Sequence, residues 1–154
     1  MKNEFLRHLI ATIAYRLAKA VNNATPEFYY FEAGSGIRKP KEILHHMCQV
    51  IAFAIAVLDK QPRRIIEQMP GGEQLNKFYE LLESTDDKLA VIDLENENRL
   101  KLVQGPFADI FTHIGQLALL RRYVNDPVPA ENFMNANVKI GVIKIEDQNL
   151  NSSV

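Results

Sequence analysis

The side chains best able to bind a metal or act as nucleophiles in this chain are four histidines, His8, His45, His46 and His113, and one cysteine, Cys48. Their spacing is informative. Asp109 precedes His113 by four positions and Gln116 follows it by three. On a helix, Asp109 and His113 then lie roughly 40° apart, with Gln116 within about 20° of Asp109, so all three share a face. A neighbouring carboxylate and imidazole are a common way to hold a divalent ion, and imidazole suits zinc, nickel or iron. A third ligand has to come from another helix. Lys41, His45 and Gln49 form a polar stripe, whereas His46 shares its face with Val50, Phe53 and Val57. His45 therefore reads as outward and His46 as inward. An inward imidazole without a partner is costly, which makes it a reasonable ligand. His46, Asp109 and His113 would form a two-histidine, one-carboxylate site with open positions.

Plainer readings compete at each position. An Asp–His pair four apart is often a surface charge pair worth a few tenths of a kcal/mol. Its face lies about 120° from the centre of the apolar stripe on the same segment, so it could meet solvent. A lone inward histidine is often a hydrogen-bonded core residue. His8, beside Tyr15, reads as a surface or hydrogen-bonding residue. Cys48 sits in an apolar run, where a buried thiol is inert. Arg121 and Arg122 favourably meet a helix dipole. Gly34-Ser35-Gly36 reads as a hinge and lacks the Lys-Ser/Thr of a phosphate loop.

These residues need helices to position them, and the breakers outline four. Residues 1–25, 41–61 and 73–104 contain neither glycine nor proline, and 107–126 contain only Gly115. Leu6, Leu9, Ile13, Leu17 and Val21 follow helical spacing, as do Leu75, Phe78, Leu82 and Leu89, and Phe107, Ile110, Phe111, Ile114 and Leu117. Lys39-Pro40 and Gly105-Pro106 place proline at a first helical position, where its missing N–H is harmless. The expected helices are 2–22, 40–59, 73–92 and 106–124. A polar loop is expected at 95–99; alternation in 88–94 and 99–103 also permits a short hairpin. The 25–39 connection is long for a bundle. With Phe28, Tyr29, Tyr30 and Phe31 it is expected to pack as a lid over one end. The second helix is apolar nearly all round, which implies a central position or a subunit contact.

Composition sets the outer bounds. The chain has 154 residues, 47% hydrophobic and 24% charged, which suits one globular domain rather than a disordered chain. Eighteen basic against nineteen acidic residues leave net charge −1, without the basic footprint of a nucleic-acid binder. One cysteine forms no internal disulfide and no multi-cysteine zinc motif. Residues 9–15 lack a signal-peptide cleavage pattern. The apolar run 47–58 is short of the roughly 20 residues that span a bilayer. A soluble cytoplasmic protein, not membrane-bound, is the expectation.

Two stretches add a resemblance. Gly-Ile-Arg-Lys-Pro-Lys-Glu-Ile-Leu-His-His-Met at 36–47 resembles the start of the second helix in the DinB-like superfamily. Gln-Gly-Pro-Phe-Ala-Asp-Ile-Phe-Thr-His-Ile-Gly-Gln-Leu-Ala-Leu-Leu-Arg-Arg at 104–122 resembles its fourth helix, and Pro127-Val128 and Glu131-Asn132-Phe133 look like a continuation seen in one branch. The resemblance implies an all-α four-helix bundle of up-down-down-up type over residues 1–145, often a homodimer, with a polar tail at 146–154. It places the metal triad on His46, Asp109 and His113. Asp109 stands where histidine is common in the family, although relatives similar to mycothiol-dependent isomerases carry a carboxylate there. Gln116 or His8 would be a fourth ligand or a supporting residue. Characterised members include transferases using low-molecular-weight thiols, so a thiol S-transferase acting on a small electrophile is implied, with Phe28–Phe31 covering the substrate. The other reading is a non-catalytic, metal-binding or stress-associated bundle.

Overall fold

The computed structural model describes residues 2–144. The tail expected at 146–154 lies outside them. The helices are α1 (Glu4–Val21), α2 (Pro40–Asp59), α3 (Gly71–Val91), α4 (Asn96–Leu102) and α5 (Ala108–Tyr123), with 3₁₀ turns at Pro26–Tyr30 and Phe133–Asn135. No strand occurs among the described residues, so the hairpin alternative at 88–103 is not realised.

The first three helices fall where their apolar stripes and prolines place them. Pro40 opens α2, and the Glu42 carboxylate accepts the Lys39 backbone N–H at 2.9 Å. Ser84 to Asp87 do not interrupt α3: Thr85 Oγ1 donates to the Leu81 carbonyl, and Asp86 faces inward. The fourth helix corrects the expected pattern. It begins at Asn96, inside the expected polar loop, and Gly105-Pro106 lies within it. Val103–Phe107 forms one wide π turn flanked by right-handed residues, Leu102 and Ala108, so α4 and α5 make one continuous rod. Proline cannot donate to the preceding turn and its ring crowds the carbonyl there. Widening one turn relieves both problems. Burial of Leu102, Pro106 and Phe107 favours carrying the helix through the break.

The helices surround one core that includes Leu6, Ile13, Leu44, Ile51, Phe78, Leu82, Phe107 and Leu117. α1 packs on α3 and α5, and α2 packs on the same two helices. α1 meets α3 head to tail: the Asn3 side chain donates to the carbonyls of Leu89 and Ile92, and Arg7 pairs with Asp86 through two hydrogen bonds of 2.7 and 2.8 Å. α2 and α3 run in the same direction, with Cys48 in the middle of α2 beside Gln74 near the start of α3, and Asp59 at the end of α2 bonded to Lys88 near the end of α3. The link from Lys60 to Pro70 must therefore travel back along the bundle. By length and composition α2 could cross a membrane; here nine of its twenty residues are buried in the bundle.

The 25–39 connection caps one end. Phe28 and Tyr29 are buried in the core, Tyr29 packs directly on the backbone of Gly71, and the Arg121 guanidinium stands 5.6 Å above the Phe28 ring. Beyond α5 the chain returns along α1. Tyr15 donates to Glu131, Lys19 Nζ lies 2.9 Å from Glu131 Oε2, Arg16 covers the Phe133 ring at 3.8 Å, and Ile143 joins the core.

Candidate metal centre

His46 comes from the first half of α2, and Asp109 and His113 from the first two turns of α5. Packing of α2 on α5 brings them together. One ligand atom from each residue lies within 4.8 Å of the other two, so the group could hold a metal ion. The carboxylate stands between the imidazoles. Asp109 Oδ1 is 3.3 Å from His113 Nε2, and Asp109 Oδ2 is 3.4 Å from His46 Nε2. The rings are nearly perpendicular, with centroids 4.7 Å apart. Each imidazole Nε2 thus faces a different oxygen of the same carboxylate.

His113 carries the clearest chemical signal. Its Nδ1 lies 3.0 Å from Gln116 Oε1, an acceptor, so the proton belongs on Nδ1. That leaves a lone pair on Nε2, which is buried without a hydrogen-bond partner among the described residues. The 3.3 Å approach to Asp109 Oδ1 is not aligned as a hydrogen bond. A lone pair facing a carboxylate is repulsive unless a cation joins them, and the donor set fits a divalent ion. Gln116 thus supports the imidazole from behind rather than supplying a ligand atom. His46 is held neutral, with its pKa below the ordinary histidine value, mainly by burial and further by His113 and Arg38, against the pull of Asp109. A neutral imidazole is the form that binds metal.

One side of the triad is open. His113 is 9% exposed, but His46 is 36% and Asp109 44% exposed. His46 and Asp109 line a groove of about 800 Å³ between α2 and the fourth helix. Val50, Phe53 and Pro106 give it apolar walls, and Gln49, Gln104 and Arg63 give it polar ones. The wide turn at Val103–Phe107 thus forms part of the wall beside Asp109.

The other expected site residues are placed differently. His8 is exposed on α1 and is not part of the cluster. His45 is half-buried rather than outward, because α2 is covered on more than one side, and its Nδ1 has no hydrogen-bond partner among the described residues. Phe28 to Phe31 do not line the groove; Phe28 and Tyr29 are drawn into the core at the capped end. Cys48 is buried against Gln74, and burial raises its thiol pKa to about 11. Arg121 is buried, donates to the carbonyls of Ala20 and Asn22, and pairs with Asp126 at 2.6 Å. It ties the end of α1 to the end of α5. Arg63 was missed because nothing local shows that the 60–70 link returns past the groove.

No protein-family model, curated protein or solved structure matches the chain.

Proposed function

We propose that the protein is a divalent-metal-dependent enzyme of the DinB-like superfamily, with zinc, nickel or iron held by His46, Asp109 and His113. The observation that carries this reading is His113 Nε2, buried without a hydrogen-bond partner among the described residues while its other nitrogen is committed to Gln116. The head-to-tail contact of α1 with α3, the same-direction pairing of α2 with α3, and the bond from Arg121 to the end of α1 support the up-down-down-up order.

When bound, the ion supplies Lewis acidity that lowers the pKa of a thiol or water in the open position. His46 and His113 would donate Nε2 lone pairs, and Asp109 its carboxylate, which presents a different oxygen to each. Gln116 keeps the His113 proton on Nδ1 and so keeps Nε2 aimed inward. The groove beside His46 and Asp109 would take a small electrophile, with Val50, Phe53 and Pro106 excluding water from its apolar part. Thiol S-transfer from a low-molecular-weight thiol is the reaction class we favour. No further His, Cys, Asp or Glu joins the triad among the described residues, which favours an open, catalytic site over a closed, structural one. The proposed setting is a soluble cytoplasmic homodimer. Half-exposed Phe53 on α2 supports the dimer, and light scattering should give twice the chain mass.

Metal titration by calorimetry tests the site. Wild-type protein should bind about one zinc or nickel ion per chain, and His113→Ala should lose at least a hundredfold in affinity, whereas His45→Ala should not. Absence of binding in wild type would remove the metal reading. Screening the loaded protein with bacillithiol, mycothiol, glutathione and cysteine against electrophiles then tests the transferase. Turnover lost in His46→Ala supports it, and silence across the panel favours a non-catalytic bundle.

A further inference from the structure

The groove contains a cation that has no partner among the described residues. Arg63 lines the same groove as His46 and Asp109, and among the described residues it makes no hydrogen bond or ion pair. Its position follows from the topology. Because α2 and α3 run in the same direction, the link between them returns along the bundle, and the Gln49 side chain holds it by donating to the Ile66 carbonyl at 2.6 Å. Three residues earlier, Arg63 reaches the groove. Its neighbour Arg64 lines a different cleft, with Asp59 and Lys88. Among the described residues, the only other formally charged group on the groove wall is Asp109. If Asp109 holds a divalent ion, the ion and Arg63 outweigh that single carboxylate, and the groove carries a formal charge of plus two. A cleft with one sign of charge and apolar walls concentrates ligands of the opposite sign. A guanidinium presents a planar fork that matches an oxyanion.

From this we infer that the groove selects a small ligand with two ends: a donor group that fills the open metal position, and an oxyanion, carboxylate or phosphate, that Arg63 pairs with. The short apolar wall of Val50, Phe53 and Pro106 lies along the same groove and takes the aliphatic part between them. The inference rests on the metal reading of the triad and adds the substrate class. Arg63 acts as a specificity residue and is not needed to hold the ion.

The test separates the two readings. Cobalt(II) is titrated first, with its visible spectrum as the signal. The cobalt-loaded protein is then titrated with the monohydroxamates of four-, six- and eight-carbon dicarboxylic acids, and with the matched monocarboxylic hydroxamates that lack the terminal carboxylate. At one of these lengths the wild type should prefer the carboxylate-tailed probe by about fivefold or more at low salt, and the preference should shrink in high salt. Arg63→Gln should abolish the preference while leaving cobalt affinity and neutral-probe affinity unchanged. Arg63→Lys should retain part of it, and Arg64→Gln all of it. Cobalt binding with equal affinity for both probe series would overturn the inference and leave the metal site standing. A preference that survives Arg63→Gln would overturn it as well. A wild-type chain that binds no cobalt would overturn both readings.

Discussion

α1 and α2 are built from similar numbers of residues and end up in opposite circumstances. α1 carries Arg7, His8, Arg16 and Lys19 and reads as amphipathic, yet ten of its eighteen residues are buried. α2 reads as apolar nearly all round, yet only nine of its twenty are. The difference lies in what covers them. The returning chain at 131–143 closes over the outer side of α1 and ties its polar groups: Tyr15 and Lys19 to Glu131, and Arg16 against Phe133. Arg7 is tied to Asp86 on α3. Along α2 the covering stops at a groove, Phe53 remains 49% exposed, and the polar group beside it, His46 with Asp109 and His113, is left without complete pairing. The Arg7, Tyr15 and Arg16 side chains of α1 are paired and hold the fold. Those beside α2 are open and have capacity for a ligand.

Breaking a closed pair should therefore have the largest effect. Asp86 keeps only 4% of its side-chain surface exposed, and Arg7 15%. Arg7→Ala would leave a buried carboxylate with no counter-charge and should cost about 3 kcal/mol in urea unfolding. The double change Arg7→Met with Asp86→Leu should recover most of that loss, because both charges leave together. Neither variant should alter metal affinity. A loss below about 1 kcal/mol for Arg7→Ala would mean that water reaches Asp86 and that the cluster is less closed than the geometry indicates.

The open cluster should respond to metal in the opposite sense. A ligand that binds only the folded state at a hundred times its dissociation constant adds about 2.7 kcal/mol. Zinc or nickel at that level should stabilise the wild type by about this amount and raise its melting temperature, whereas Asp109→Ala and His113→Ala should show no such gain. Without metal, the ranking reverses. Removing an unpartnered buried polar atom relieves a penalty, so His113→Leu should be more stable than metal-free wild type by about 1 kcal/mol. A large loss of stability in His113→Leu would show that the imidazole is a core-packing residue and not a ligand in waiting.

These contrasts also mark what local sequence conveys. Apolar stripes and Pro40 locate α1 to α3 because helix period and proline chemistry act over a few residues. Helical spacing put Asp109 and His113 on one face and His46 on the inward side of α2, but it left open whether that face met α2 or solvent, because contact between the two helices is set by packing and not by period. Pro106 was not legible as an interior residue: the same missing N–H suits a first helical position and a widened turn, and only burial of Leu102 and Phe107 decides between them. Arg121 read as a dipole contact because its partners, the Ala20 and Asn22 carbonyls, are about a hundred positions away in sequence. The closing of α1 by residues 131–143 and the arrival of Arg63 at the groove depend on chain direction, which no periodicity encodes.

The smallest expected effect concerns Cys48, two positions from His46 but facing α3. There the polar contacts are closed: Gln74 Nε2 donates to the sulfur at 3.2 Å, and Gln74 Oε1 accepts the Met69 N–H at 3.0 Å. Burial, opposed by the Gln74 hydrogen bond, lifts the thiol from 9.0 to about 11. The unfolded chain therefore releases this proton near pH 9, while the folded protein keeps it until about pH 11. Across that window the unfolded state binds fewer protons, so stability is intact below pH 9 and falls as pH rises toward 11. The urea midpoint should drop more between pH 8 and pH 10.5 in wild type than in Cys48→Ala, and iodoacetamide at pH 8 should label the native thiol only as fast as the chain opens. Equal drops in the two proteins would assign the alkaline loss to other groups, and rapid native labelling would place Cys48 with the open face of α2 rather than the closed one.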